Sequence, residues 1–177
     1  VTEYLKNRYP TLNISIFSHS MGTLVSRNYL KKYEKHIEKI VFCGPPTENK
    51  LVDIALFAGK LTGLFYKEHK PNKILNKLSV GYYNKGYTTE NEWICSNLQT
   101  VYEYNTDPLC GFTFTTSGFM NLFQLLKSAF IKEDWNPQNS SLPIFLIAGV
   151  DDPVIQGKKK FNELEEFLKE VGYENIK

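Results

Sequence analysis

Residues 12–24 read Leu-Asn-Ile-Ser-Ile-Phe-Ser-His-Ser-Met-Gly-Thr-Leu, and this stretch decides the fold of the 177-residue chain. Its isoleucines alternate with polar residues, which predicts a β-strand over residues 12–18. After Gly22 the apolar side chains recur at helical spacing, which predicts a helix over residues 22–35. A strand that turns directly into a helix through small-x-Ser-x-Gly is typical of a nucleophile elbow, where a strained turn exposes one serine hydroxyl. The stretch therefore makes Ser20 a candidate nucleophile.

The residues two positions before and after Ser20 must be small, because strand and helix cross closely at an elbow. Gly22 meets this requirement. Ser18 stands where glycine is usual, and we expect its small side chain to fit. The following helix carries an apolar or aromatic side chain every fourth residue: Val25, Tyr29 and Tyr33. An ordinary strand–turn–helix with a surface serine is the alternative interpretation of the same pattern.

A second segment, residues 142–149, is a continuous apolar run that ends in glycine, Leu-Pro-Ile-Phe-Leu-Ile-Ala-Gly. Such a run predicts a parallel strand that is buried on both faces. Asp151 and Asp152 follow it directly. A carboxylate just beyond the carboxyl end of a parallel strand lies at the edge where α/β folds bind their ligands. The pair therefore offers a candidate acid for Ser20, unless both aspartates only cap the following turn.

These segments resemble the branch of the α/β-hydrolase superfamily that includes serine aminopeptidases, monoacylglycerol lipases and lysophospholipases. Residues 17–22 are similar to its Gly-His-Ser-Met-Gly elbow, and residues 146–154 resemble its acid strand and loop. Residues 91–95 and 107–114 resemble segments of its cap. The resemblance extends over nearly the whole chain, with the motifs in the expected order.

The resemblance implies an α/β fold, here a partial α/β-hydrolase fold, in which parallel strands have flanking helices and a helical cap is inserted. It implies that Ser20 is the nucleophile and that the backbone N–H of Met21 is one donor of the oxyanion hole. Asp152 is the implied acid, rather than Asp151, because Gly-x-x-Asp-Pro matches the acid loop of these enzymes. The order of serine before acid is that of their triad. No metal or organic cofactor is implied.

The catalytic histidine of this family follows the acid, and no histidine follows Asp152 in this chain. The chain has three histidines: His19, His36 and His69. We expect none of them to be the base, because neighbours on a tight elbow point in different directions, and because His36 is predicted to face solvent and His69 to lie in a loop. Residues 173–177 look like the start of the strand that would carry the histidine. We therefore expect a segment of a longer polypeptide, inactive by itself, since a serine without a base is a weak nucleophile.

The order of the predicted elements divides the chain into residues 1–46 and 140–177, which form the hydrolase core, and residues 47–139, which form the cap insertion. The insertion is too long for a plain connection, and its apolar patterns predict helices over residues 50–66 and 119–131. We expect its aromatic side chains to lie mainly in the cap's own core, with some lining an apolar acyl pocket: Phe57, Phe65, Tyr66, Tyr82, Tyr83, Phe112, Phe114, Phe119 and Phe123.

Three further elements are predicted within the core. Residues 1–9 form a helix end, and residues 38–43 form a second strand. After the acid loop, a helical stripe predicts a helix that ends at Gly172: Phe161, Leu164, Phe167, Leu168 and Val171.

The composition is that of an ordinary globular protein, with 42% hydrophobic and 23% charged residues. A net charge of +2, from 21 basic and 19 acidic residues, gives no indication of a nucleic-acid partner. No apolar stretch is long enough to span a bilayer, and no signal-peptide pattern is present. The three cysteines are widely spaced and form no zinc motif. This favours a reducing compartment and hence a cytoplasmic location.

The function implied by the resemblance is hydrolysis of a lipid-type carboxylic ester, a monoacylglycerol or a lysophospholipid, through an acyl-enzyme. An aminopeptidase of the same fold is one alternative. It requires acidic side chains for the substrate amine, and the cap offers Glu90, Glu92 and Glu103. A non-catalytic binding protein of the same fold is the other alternative, because a fold does not fix a function.

Overall fold

The computed structural model describes residues 1–63 and 69–177. The described chain divides into two compact units, one formed by Val1–Glu48 and Leu125–Lys177 and the other by Asn49–Gln124. The sequence placed the end of the insertion at residue 139, whereas the second unit ends at Gln124. The end of the predicted helix 50–66, with Phe65 and Tyr66, lies outside the described residues.

The helices and strands follow one another in the order of an α/β protein. In chain order they are α1 (Thr2–Arg8), β1 (Ser15–His19), α2 (Met21–Tyr33), β2 (Lys39–Cys43), α3 (Val52–Gly63), α4 (Lys73–Leu78), α5 (Leu98–Thr106), α6 (Thr116–Ala129), β3 (Ile144–Ile147) and α7 (Lys158–Glu170). The three strands lie in the first unit, and α3, α4 and α5 lie in the second. The predicted core strands and helices are therefore present, with bounds that differ by a few residues.

The strands of the described chain form one parallel sheet in the order β1-β2-β3. Beyond β3, Ile176 forms a parallel bridge with Ile144, and the Leu146 amide donates to the Lys177 carbonyl at 2.7 Å. The last residues therefore extend the same sheet, in agreement with the expected start of a further strand. Because the strands are parallel, their carboxyl ends lie at one edge.

One face of the sheet forms the hydrophobic core of the first unit. Ile40 and Phe42 of β2 and Leu146 of β3 are buried in one cluster with Leu30 of α2 and Leu168 of α7. Burial of a side chain of this size contributes about 1.5–3 kcal/mol. The α7 stripe predicted from the sequence is confirmed, and Gly172 has a φ of +114°, the left-handed conformation that ends a helix.

The other face of the sheet differs from the prediction. Phe17 is 71% exposed, Phe145 46% and Ile147 45%. Phe17 and Phe145 lie in one register row with Val41 between them. The prediction that residues 142–149 form a strand buried on both faces is therefore wrong for the described chain. A continuous apolar run shows that a strand can be covered on both faces. Burial of both faces requires a layer of packed residues on each side of the sheet, and the described residues cover one side.

The buried side of α2 also differs from the sequence pattern. Leu24, Arg27 and Leu30 are buried, whereas Val25 and Tyr33 of the predicted stripe are about half exposed. The pattern failed because a charged residue, Arg27, occupies an inward position. Its burial depends on hydrogen bonds and ring contacts that hydropathy does not record.

A buried carboxylate connects three separate segments of the first unit. Glu34 follows α2 and accepts hydrogen bonds from the backbone N–H groups of Gln138 and Asn139, at 3.3 and 2.7 Å, and from the Tyr173 hydroxyl at 3.1 Å. Burial, and then the nearby Glu34 carboxylate, raise the pKa of the Tyr173 phenol above its usual range. Since the raised pKa belongs to the folded state, this stabilising contribution is present below about pH 10 and is lost as the pH rises through the folded pKa.

Replacement of Glu34 by alanine is expected to destabilise the protein by about 2–4 kcal/mol, because the buried Tyr173 hydroxyl and two partly buried backbone N–H groups lose their acceptor, and a buried donor without an acceptor costs about 1–3 kcal/mol. Urea unfolding monitored by circular dichroism measures this loss. Glu38→Ala is the matched control, since the exposed Glu38 side chain accepts a single exposed hydrogen bond, from Asn13. Equal stabilities of the two variants would contradict the assigned role of Glu34.

Candidate active site

Ser20 lies at the junction of β1 and α2, in a backbone conformation that is rare for a residue with a side chain. Its φ is +50° and its ψ is −122°. Such a conformation costs on the order of 1–3 kcal/mol and persists only where surrounding structure enforces it. The Ser20 amide donates to the Cys43 carbonyl at 2.9 Å, which fixes the turn to β2. The half-buried Ser20 hydroxyl makes no hydrogen bond within the described residues, so it is available to a ligand.

The crossing of β1 and α2 explains why Ser18 fits at a position where glycine is usual. Ser18 is buried, and its Cβ lies 3.9 Å from the position that a Cβ on Gly22 would occupy. The Ser18 hydroxyl donates to the Val41 carbonyl at 3.0 Å and accepts from the Ser26 hydroxyl at 2.9 Å. The expectation that this small side chain fits is confirmed, and the hydroxyl connects β1 to both β2 and α2.

Asp152 lies in the loop after β3, at the start of the 3₁₀-helix Pro153–Ile155. Its Oδ1 accepts a hydrogen bond from the Val154 N–H at 2.9 Å. The prediction that Asp152 caps the following turn is therefore confirmed for Oδ1. Oδ2 accepts no hydrogen bond within the described part of the chain. The Asp151 side chain, by contrast, is exposed to solvent.

The structure brings Ser20 and Asp152 to the same edge of the sheet, one after β1 and the other after β3. Gly44, which follows the central strand β2, lies between them. A Cβ on Gly44 would lie 3.1 Å from Oδ2 of Asp152 and 3.6 Å from Nε2 of His19. The aspartate and the imidazole next to Ser20 therefore face the same small space. Gly44 was not among the predicted site residues, although a Gly-Pro-Pro sequence at a strand end is a signal for a special turn.

Met21 is the first residue of α2, directly after Ser20. The first amides of a helix have no partner within the helix, and they carry the partial positive charge of the helix dipole. The Met21 N–H is therefore suited to binding a negatively charged oxygen next to Ser20.

Among the histidines of the described chain, His19 lies at the edge that carries Ser20 and Asp152, but no hydrogen bond joins its imidazole to either side chain within the described residues. His19 is exposed at the end of β1. His36 is half-buried rather than solvent-facing as predicted, because the 3₁₀-helix Glu34–His36 turns directly into β2. It precedes β2 and therefore lies at the amino ends of the strands, the opposite edge from Ser20. His69 is exposed and belongs to the second unit.

A buried arginine holds the loop after β2. Arg27 donates to the Pro46 carbonyl at 2.7 Å and to the Thr23 carbonyl at 3.2 Å, and its guanidinium lies 4.8 Å from the centre of the Phe130 ring. Burial lowers the pKa of Arg27 to about 9. The neighbouring Thr47 hydroxyl donates to the Ile155 carbonyl at 3.2 Å. Hydrogen bonds thus connect the loop after β2 to α2 and to the loop after β3. These bonds hold Gly44 and the acid loop in place at the sheet edge.

The acidic residues considered for an amine pocket lie in the second unit. Glu92 accepts hydrogen bonds from the Thr89 N–H and from the hydroxyls of Thr89 and Thr88. The Thr89 N–H, followed by the two hydroxyls, lowers the pKa of Glu92. Glu103 accepts from the Gln99 amide at 3.0 Å. Two of the three predicted carboxylates are therefore already engaged by local partners.

Two kinds of feature are absent from the residues that the structure describes, a cluster of metal-binding side chains and a membrane-spanning helix. In this part of the chain no group of three or more His, Cys, Asp or Glu side chains is arranged to hold a metal ion. Among the same residues, no helix combines the length and apolar character required to cross a membrane.

Several solved structures share this fold. A thermostable carboxyl esterase from Bacillus coagulans matches 99% of the chain with a TM-score of 0.83 and 22% identity, and the chain covers 58% of it. A lipase in its open form matches 99% with a TM-score of 0.81 and 16% identity, again over 58% of that protein. The monoacylglycerol lipase of Paleococcus ferrophilus matches 99% with a TM-score of 0.62 and 15% identity, over 61% of its length.

The chain therefore spans less than two thirds of these proteins, and the prediction of a partial α/β-hydrolase fold is confirmed. No curated protein is significantly similar in sequence. The family model described as serine aminopeptidase, S33, matches residues 1–177. Together with the parallel sheet, this match shows that the chain belongs to the serine aminopeptidase S33 family of α/β-hydrolases.

Proposed function

We propose that the polypeptide containing this chain is a carboxylic ester hydrolase that acts through an acyl-enzyme on Ser20. One observation carries the proposal: a strained serine with an unpartnered hydroxyl lies at the same sheet edge as a half-buried aspartate. The left-handed backbone of Ser20 is the strand-to-helix turn that an exposed nucleophile requires. An ordinary surface serine would have no need of that strain.

The reaction follows from the placement of the groups. The Ser20 hydroxyl oxygen attacks the ester carbonyl carbon, and its proton passes to a histidine base. The Met21 N–H stabilises the negative oxygen of the tetrahedral intermediate, a contribution of about 2.7–4 kcal/mol for one such donor. The intermediate expels the alcohol, which takes the proton from the histidine. Water then attacks the acyl-serine in the same way and releases the acid.

Asp152 has the role of orienting the base. Because Val154 holds Oδ1, the oxygen that can accept a hydrogen bond from a histidine is Oδ2. The proposed base lies outside residues 1–177, since no histidine follows Asp152, His36 lies at the opposite edge, and His19 makes no hydrogen bond to Ser20 or Asp152 within the described residues. We therefore propose that residues 1–177 are inactive on their own.

The proposed substrate is an ester of a fatty acid, with glycerol or a lysophospholipid as the alcohol component. The support is the structural likeness to monoacylglycerol lipases. In the second unit, Phe119 and Phe123 are buried in its own core, whereas Phe57 and Phe112 are largely exposed. Exposed aromatic surface on the proposed cap is suited to contact with an acyl chain.

An aminopeptidase is the alternative that the family description favours. Its amine-binding carboxylate would be Glu90, Glu92 or Glu103, and the last two each keep one side-chain oxygen without a hydrogen bond from the neighbours named above. A non-catalytic binding protein is a further alternative, but it has no need of a strained serine.

We expect the full-length polypeptide to hydrolyse long-chain nitrophenyl esters with a higher kcat/KM than short-chain esters, because a longer acyl chain buries more apolar surface, about 0.8 kcal/mol for each CH₂. Aminoacyl anilides are expected to remain intact. Parallel assays on the three substrate types measure this preference. Faster cleavage of the anilides would favour the aminopeptidase, and no turnover of any of them would favour the binding protein.

A further inference from the structure

Gly44 is the residue at which the backbones on both sides of the proposed site meet. Its N–H donates to the Ile147 carbonyl at 2.8 Å, at the end of β3. The preceding carbonyl, that of Cys43, accepts from the Ser20 N–H at 2.9 Å, at the end of β1. The φ of Gly44 is +55°, in the left-handed region that favours glycine. The position of this residue is therefore fixed by hydrogen bonds on two sides.

The Asp152 carboxylate and the His19 imidazole both lie next to the position that a side chain at residue 44 would occupy. A Cβ there would lie 3.1 Å from Oδ2 of Asp152, a contact tighter than side chains normally make, and 3.6 Å from Nε2 of His19, an ordinary contact. The residue that would have to move is therefore the aspartate. Its other oxygen is held by Val154 at 2.9 Å, so a side chain at residue 44 would displace or rotate the carboxylate against that hydrogen bond.

We propose that Gly44 is a positioning residue for Asp152: the absence of a side chain at residue 44 leaves the room in which Oδ2 lies, and so sets the direction in which the aspartate offers its free oxygen. The inference rests on the proposed function of Asp152. In this proposal Gly44 acts through the carboxylate and has no chemical role of its own. Displacement of a catalytic group by 1 Å can cost roughly a hundredfold in rate. A shift of a few tenths of an ångström is therefore expected to lower kcat roughly tenfold.

The kinetic test compares Gly44→Ala with Gly157→Ala in the full-length polypeptide, with a nitrophenyl ester as substrate. Gly157 also has a left-handed φ, +87°, but a Cβ there would meet no atom within 4 Å. It therefore places a side chain on a residue of positive φ without the contact to a catalytic group. We expect Gly44→Ala to lower kcat roughly tenfold with little change in KM, because the alignment of the base changes and substrate binding does not. Gly157→Ala is expected to retain its kcat. An unchanged kcat in Gly44→Ala would overturn the proposal.

A thermodynamic test does not depend on catalysis. Gly44→Ala is introduced into the natural protein and into an Asp152→Ala background, and the melting temperatures of the four proteins are compared. If the Cβ meets the carboxylate, the loss of Tm is smaller in the Asp152→Ala background, because the obstructing oxygen is gone. An equal loss in both backgrounds would show that backbone strain alone is responsible, and would overturn the inference even if Gly44→Ala folds poorly. Coupling in Tm without any esterase activity would instead retain the contact and reject the proposed function.

Discussion

Replacement of Ser20 by alanine is expected to abolish ester hydrolysis, with a loss of roughly 10⁵- to 10⁶-fold in kcat, the size seen when a nucleophilic serine is removed from a catalytic unit. The reason is that no other hydroxyl occupies the strained turn between β1 and α2. The same change is expected to prevent labelling by a serine-directed phosphonate. Both effects are measured on the full-length polypeptide, by steady-state hydrolysis and by mass spectrometry of the labelled protein.

Ser15→Ala is the matched control, because Ser15 lies exposed on the same strand and makes no side-chain hydrogen bond within the described chain. It is expected to retain full activity and full labelling. Ser20→Ala removes only the hydroxyl group and keeps the Cβ, so we expect the variant to fold. Labelling that persists in Ser20→Ala would refute the nucleophile assignment.

Replacement of Asp152 by asparagine is expected to lower kcat by about 10⁴-fold, as the loss of charge behind a catalytic histidine does in serine proteases. The amide oxygen of asparagine can still accept the hydrogen bond from Val154, so the 3₁₀-helix is expected to keep its cap. The amide group cannot stabilise a protonated histidine as a carboxylate does. The variant therefore separates the capping role of Asp152 from its proposed catalytic role.

Asp151→Asn makes the same chemical change one residue earlier in the loop, on an exposed side chain. It is expected to change kcat by less than about twofold, as substitutions of exposed residues without partners usually do. Thermal unfolding of both variants checks that stability stays comparable. If Asp151→Asn were as inactive as Asp152→Asn, or if Asp152→Asn kept its kcat, Asp152 would be no more than a cap.

The local elements around Ser20 could be predicted because their information is local. The strand before Ser20, the helix after it and the stripe of α7 each appear in the spacing of a few consecutive side chains. The parallel arrangement followed from the order of strands and helices. The resemblance supplied the pairing of Ser20 with Asp152, which no spacing within the chain could give.

The inward faces could not be predicted, since they depend on what packs against each element. Arg27 is buried on α2 because Pro46 and Phe130 receive its guanidinium, and these partners are distant in sequence. Phe145 is exposed on β3 because only one face of the sheet is covered by the described residues. Hydropathy records the tendency of a side chain to be buried, and it does not record which neighbours are available.

The sequence by itself determined that a serine occupies a strand-to-helix turn and that an aspartate follows a later strand, because both are features of contiguous residues. Only the tertiary structure decided that Asp152 and His19 face the same space over Gly44, and that Glu34 connects the end of α2 to Tyr173. The Gly44–Asp152 and Glu34–Tyr173 contacts join residues about 100 or more positions apart, where pairing is set by sheet register and loop geometry rather than by any periodic pattern.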